Sequence, residues 1–288
     1  MIRKLMPKVQ IGLQQARRLT HMKYDERLDF IAEGLPIVLR SASGFLSASK
    51  SLNAHDREAE VLRGFAEEEA GKALILLDMV RCPPKQIASK IGTMTRWFYD
   101  HLARLIYAKA SSWYATNIGQ LQEYVNSERP THHIDGEYGE YIFPNQALYF
   151  RESRLYADIA AYEDDRPFWN EPRSTIRSLL QFDPPAYHVI SALSTVGALS
   201  HDGIRVIADV WGQEEFDLPK TFADGERLTE LMLRRIIDLG LPSGSATDKD
   251  VSQIYRWQMP MYHLDLSPID VPMDELQRRR DVIVPDEW

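Results

Sequence analysis

Residues 63–81 read RGFAEEEAGKALILLDMVR, which sets three glutamates and a lysine into an otherwise apolar segment. Wound at the α-helical repeat, Val61, Phe65, Glu68, Lys72, Ile75 and Met79 fall on one face. Glu69 falls on the neighbouring stripe with Leu62, Ala66, Ala73 and Leu76. Charges removed from water are costly unless they are paired. The spacing therefore predicts that Glu68 and Lys72, in the favourable Glu-before-Lys order, either anchor a buried network or line a site. A plain helix-packing ion pair is the competing reading.

The same period runs through most of the chain. Ile31, Leu35, Val38, Leu39, Phe45 and Leu46 predict a helix over 29–52, with Pro36 and Gly44 as points of bending or breakage. A second helix is expected from Asn53 or Asp56 to about Met79, stopped by Cys82-Pro83-Pro84. Lys85–Ile91 reads as a short helix, and Thr93 or Thr95 as the cap of a long one from Arg96 to about Val125. Residues 126–144 read as a loop, 145–162 as helix and EDDRPFWNEP as irregular. Further helices are expected over 173–182, 186–199, 202–213, 223–239 and 247–258, with Gly240 as a C-cap. The tail from Leu264 looks irregular. Alternating patterns are scarce, with EYIF and DVIV as short strand candidates. The expected fold class is all-α.

With 288 residues, the chain can bury a substantial core without disulfides or metals. Cys82 is its only cysteine, which excludes an internal disulfide framework and a zinc site built on several thiolates. A cytoplasmic location is the expectation. No 18-residue apolar run predicts a membrane-spanning helix.

The net charge of −8 argues against a globally basic nucleic-acid binder. Basic residues are nonetheless concentrated locally. Residues 81–109 carry Arg81, Lys85, Lys90, Arg96, Arg104 and Lys109 against Asp100 alone, enough to draw a polyanion to one place. Residues 1–24 contain six Lys/Arg and no acid, as an organelle transit peptide, a basic arm that touches nucleic acid, or a surface segment would.

Three blocks resemble a known family. EEAGK at 68–72, RWFYDHLARLIYAKA at 96–110 and RESRLYADIAAYEDDRPFWNEP at 151–172 are similar, in order and spacing, to the conserved segments of AbiV-type abortive-infection proteins, members of the HEPN-like helical superfamily. The resemblance covers about residues 25–175. It implies a HEPN-like four-helix bundle over that span, preceded by the basic segment 1–24 and extended by further helices over 176–288.

The resemblance also implies a chemistry. HEPN ribonucleases use an Arg followed, four to six residues later, by a His; Arg96 and His101 satisfy this with four residues between. Arg256 and His263 also satisfy it, and chance alone supplies roughly two such pairings in a chain of this composition. Pro260 interrupts the second pair, whereas Arg96/His101 follows the EEAGK helix and lies in the basic segment. On this reading the 2′-hydroxyl of RNA is the nucleophile, His101 moves the proton and Arg96 steadies the phosphoryl charge. Glu68, Glu69, Lys72, Asp100 and Arg104 support them, Lys90 and Lys109 hold flanking RNA, and no metal or cofactor is needed. Five residues turn a helix by about 140°, so the pair does not share a face; a homodimer bringing two copies into one cleft would complete the site. Trp97 follows Arg96 where many active HEPN ribonucleases carry a polar residue.

The implied activity is RNA cleavage (tRNA, mRNA or rRNA) in abortive phage defence, under a phage-encoded trigger or an antitoxin. The alternative is a non-catalytic helical module that binds a phage or host protein; a nucleotide-binding regulator is a weaker third. Other candidates are thinner. His132-His133 beside Asp135, Glu137 and Glu140 is a conceivable metal site; His188, His201 and His263 are isolated. Trp97, Phe98, Tyr99, Tyr107, Trp113 and Tyr114 could stack bases or serve as core. No Gly-rich phosphate loop or nucleophile elbow is present.

Overall fold

The computed structural model describes residues 11–52, 56–137, 139, 141–161, 166–172 and 182–283. The short helix α1 (Ile11–Ala16) and a 3₁₀ turn (Arg17–His21) lead into α2 (Tyr24–Ser51). Arg27 holds this entry by donating to the carbonyls of Leu19 (3.1 Å) and Met22 (2.9 Å). α2 runs unbroken through Pro36 and Gly44. Burial of Ile31, Leu35 and Leu46 on its inner face holds the helix where local propensity alone would interrupt it.

α3 (Arg57–Arg81) is the central helix, packed against α2 along its length. Its second half, Ala73 to Val80, is buried on every side. Cys82 and Pro83 end it as expected, and Pro84 then opens α4 (Pro84–Tyr99), because proline is well suited to a first helical turn.

The expected helix from Arg96 to Val125 does not exist as one element. α4 runs through Thr93, Thr95 and Arg96 to Tyr99. Thr95 cannot cap because its hydroxyl is bonded back to the Ile91 carbonyl at 2.7 Å. The chain breaks at Asp100, whose carboxylate accepts from the Ala103 amide at 2.8 Å and starts α5 (His101–Ala110). After a turn, Asn117 caps α6 (Ile118–Glu128) in the same way.

Residues 126–144 are not all loop: β1 (His132–Asp135) pairs antiparallel with β2 (Tyr141–Pro144), which takes in most of EYIF. Asn145 caps α7 (Gln146–Leu155), which is shorter than the expected 145–162. β3 (Asp158–Ala161) follows and pairs with β4 (Pro167–Asn170), so part of the EDDRPFWNEP stretch is strand. Most of the helix expected over 173–182 lies outside the described residues.

α8 (Pro185–Thr195), α9 (His201–Trp211), α10 (Phe222–Asp238) and α11 (Asp248–Ile254) fall where the helical period placed them. Gly240 takes φ +65° at the end of α10, as a C-cap glycine does. The tail departs from expectation: α12 (Met273–Ile283) absorbs DVI of the DVIV strand candidate. The fold is all-α, with two small two-stranded sheets as accessories. Among the described residues no helix is long and apolar enough to cross a membrane.

α8 and α9 also pack on α3, so one hydrophobic core runs from Leu19 to Leu266. Its polar fastening is at the end of α3. Asp78, fully buried, pairs with Arg81 and accepts from the Tyr107 hydroxyl (3.0 Å) and the Met261 amide (2.7 Å). Arg81 donates to the Gln258 carbonyl (2.7 Å), with its guanidinium 3.9 Å from the Trp257 ring centre and 4.8 Å from that of Trp211.

Candidate functional site

The site begins with a glycine. A Cβ on Gly71 would stand 2.3 Å from the Arg104 carbonyl oxygen, so α3 and α5 can touch backbone to backbone only because residue 71 has no side chain. This contact sets Glu68, one turn earlier on α3, against the first turn of α5.

Glu68 is buried and anchors three donors. Its Oε2 lies 2.7 Å from His101 Nδ1 and 3.4 Å from Arg104 Nη1, and its Oε1 accepts from Arg151 Nε of α7 at 2.6 Å. Burial alone would raise this carboxyl, but the hydrogen bonds from His101 and Arg151, with their charges, outweigh it and hold the group at about 2. The expected Glu68–Lys72 pair is therefore replaced: Lys72 pairs with Glu69 and lies 5.7 Å from the Phe98 ring centre.

An ionised carboxylate only accepts, so the 2.7 Å contact requires the proton on His101 Nδ1. In the neutral ring Nε2 then carries the lone pair; in the imidazolium, whose charge helps hold Glu68 ionised, both nitrogens donate. The ring is 46% exposed, so Nε2 has a route to solvent. Arg104 Nη1 is 3.5 Å from the same Nδ1, but two donors face each other there, and no hydrogen bond forms. Arg104 is buried and also donates to the Phe98 carbonyl at 2.8 Å, tying the end of α4 to α5. Burial pulls its titration below the ordinary arginine value.

Beside Glu68, a cavity of about 240 Å³ opens between α3, α5 and α7. Glu60, Glu67, Lys109, Arg151 and Arg154 line it. Arg154 meets buried Glu60 at 3.2 Å, and Lys109 meets Glu128 at 2.9 Å. Glu67 makes no hydrogen bond or ion pair with the described residues, and burial pushes its carboxyl above the usual range.

The remaining sequence candidates separate. Arg96 is exposed on the last turn of α4 and donates to Thr93 Oγ1 at 2.9 Å; among the described residues it makes no bond to His101. It faces a shallow groove shared with Asp100 and with Leu266, Ser267 and Pro268 of the tail. Asp100 is the α5 cap. Lys90 stands on another part of α4, near enough to Cys82 and His263 to favour the thiolate and oppose the imidazolium. Trp97 and Tyr107 are core residues, whereas Trp113 and Tyr114 are exposed.

His132 and His133 sit at successive positions of β1, which point to opposite faces. No three His, Cys, Asp or Glu side chains among the described residues are gathered to hold a metal ion. His201 bonds Asp29 at 3.1 Å. Both ring nitrogens of His263 are enclosed without a partner among the described residues, and Arg256 lies beyond the end of α11. The competing Arg–His pair therefore has no accessible ring.

Sequence reasoning missed Arg151, Arg154, Glu60 and Glu67 as members of the cluster. A signal was present: Glu60, Glu67 and Glu68 lie on one broad helical face, and Arg151 and Arg154, three apart on α7, are the cations that can answer them.

The fold and the cluster define an all-α protein that carries a carboxylate-anchored histidine at its surface. Compared with known proteins, the chain matches no family model, no curated protein and no solved structure.

Proposed function

We propose that this chain is a metal-independent endoribonuclease of the HEPN type, akin to AbiV-type abortive-infection proteins. The observation that carries the reading is the Glu68–His101 contact at 2.7 Å with the ring half exposed. A buried carboxylate that fixes the tautomer of an accessible imidazole is the arrangement general acid–base catalysis requires.

In the proposed reaction His101 Nε2 accepts the proton of an RNA 2′-hydroxyl. The 2′-oxygen bonds to phosphorus as the bond to the 5′-oxygen breaks. The leaving oxygen takes a proton from an imidazolium, supplied by His101 of a second copy across a homodimer cleft. The products end in a 2′,3′-cyclic phosphate and a 5′-hydroxyl. Arg96, exposed and without an ion pair among the described residues, contacts the phosphoryl oxygens. Glu68, Arg104 and Arg151 are positioning residues. Arg104 donates to Glu68 and to the Phe98 carbonyl, so it supports the site through Glu68 and does not itself hold a phosphate. The protein would act on tRNA, mRNA or rRNA in the cytoplasm, silent until a phage trigger or the loss of an antitoxin releases it.

A second reading, a non-catalytic module binding a phage or host protein, is favoured by one fact. Both Glu68 oxygens are engaged by donors, as in a structural brace. One experiment separates the two. Purified protein is incubated with total RNA in EDTA, alongside His101→Ala, Arg96→Ala and His263→Ala. The nuclease reading expects cyclic-phosphate ends from wild type and His263→Ala and none from the other two. Cleavage that persists in His101→Ala overturns it. An inert wild type whose toxicity in cells survives His101→Ala supports the module.

A further inference from the structure

A larger cavity lies on the other side of α4. It measures about 520 Å³ and is a half-open cleft between α1, the 3₁₀ turn, α2, α3 and α4, with Gln15, Arg18 and Phe30 exposed at its rim. Phe30, Ile31, Val38, Leu76, Met79 and Phe98 supply its apolar walls. An apolar chamber of a few hundred cubic ångströms with a handful of polar groups has the character of a small-molecule site.

The polar groups are informative. Thr95 is already bonded within its own helix. Among the described residues Arg18 is the only charged one in the lining; it is exposed and makes no ion pair or side-chain hydrogen bond with them. The side chains of Gln15 and Tyr99 are also without a hydrogen-bond partner there. An exposed guanidinium at the mouth of an apolar cleft favours an anion attached to a hydrocarbon, the tail in the cleft and the charge at the rim.

Two glycines shape the space. Gly34 lies inside α2, where glycine is disfavoured, and lines the cavity. A Cβ there would meet nothing within 4 Å, so the vacancy is one that a larger residue would fill. Gly12 does the opposite: a Cβ would come within 2.9 Å of the Tyr99 ring, so its absence lets that ring lean on α1 and close one wall.

We propose that this cavity binds a long-chain fatty acid, with its chain among the α2, α3 and α4 side chains and its carboxylate on Arg18, Gln15 and Tyr99. The inference does not depend on ribonuclease activity.

The test uses the full chain and cis-parinaric acid, a fatty acid whose fluorescence rises in apolar surroundings. Saturable micromolar binding is expected, displaced by dodecanoate at least about tenfold more effectively than by dodecyltrimethylammonium, a gap of about 1.4 kcal/mol. Gly34→Leu, checked for an unchanged helical spectrum, should weaken binding at least about tenfold by occupying the chamber. Arg18→Glu, which leaves the chamber intact, should abolish the preference for dodecanoate. Absence of saturable binding, equal displacement by anion and cation, or full binding by either variant overturns the proposal.

Discussion

Replacing Glu68 by Gln tests the physical centre of the candidate site. The side chain is 6% exposed and faces Arg104 at 10% and Arg151 at 16%, with His101 as a third, half-exposed donor. Gln removes the charge and leaves two nearly buried guanidiniums beside a neutral amide. Breaking a buried pair from one side costs about 3–5 kcal/mol. The titration gives a similar figure: a carboxyl held at about 2 instead of 4.5 contributes about 3 kcal/mol at neutral pH, an upper value because solvent reaches the cluster through His101. The folded-state value lies below the unfolded one, so the unfolded chain binds more protons in between. The contribution is complete above about pH 5 and is lost as pH falls toward about 2. Urea unfolding at pH 7 should therefore show Glu68→Gln less stable by about 3 kcal/mol. The variant should lose less stability than wild type between pH 5 and 3. In the double variant Glu68→Gln/Arg151→Met the cost of losing Glu68 should fall by about 1–2 kcal/mol, because one stranded cation is gone. A loss under about 1 kcal/mol, or an acid profile unchanged from wild type, would refute the buried-network account.

Two further predictions concern glycine and cysteine. Gly71→Ala should cost about 3 kcal/mol, the upper end of overpacking costs, because its Cβ meets the Arg104 carbonyl. Gly92→Ala in α4, where a Cβ meets nothing within 4 Å, should gain about 0.5–1 kcal/mol; thermal unfolding of both reads the contrast. Cys82 is fully buried, and burial pushes its thiol up to about 12. A thiol reagent at pH 8 should leave the native protein unlabelled and modify the single cysteine once urea unfolds it.

Much of the fold was legible because its signals are local. Spaced apolar residues located α2, α3 and α8 to α11 to within a few residues, and Cys82-Pro83-Pro84 located the α3–α4 break. The errors share a cause. Thr95 and Asp100 are both acceptable caps by residue type, but Thr95 is bonded back into its own helix and Asp100 is free to cap α5. Pro36 is a breaker locally, yet tertiary burial carries α2 across it. DVIV looks like a strand by composition, and most of it becomes the end of α12.

For the site, the sequence alone determined that charges would stand in the apolar stripe of α3, and it left open whether they form a buried network, line a site or make a plain helix-packing ion pair. It also supplied His101 and Glu68 as candidates on separate segments. Only the tertiary structure decided their partners. Glu68 turns from Lys72, its neighbour along the helix, to His101, Arg104 and Arg151, which lie 33, 36 and 83 positions away. The physical reason is that a buried carboxylate takes whatever donors the packing brings to it. The packing is set by the Gly71–Arg104 backbone contact, a steric fact written in no local period.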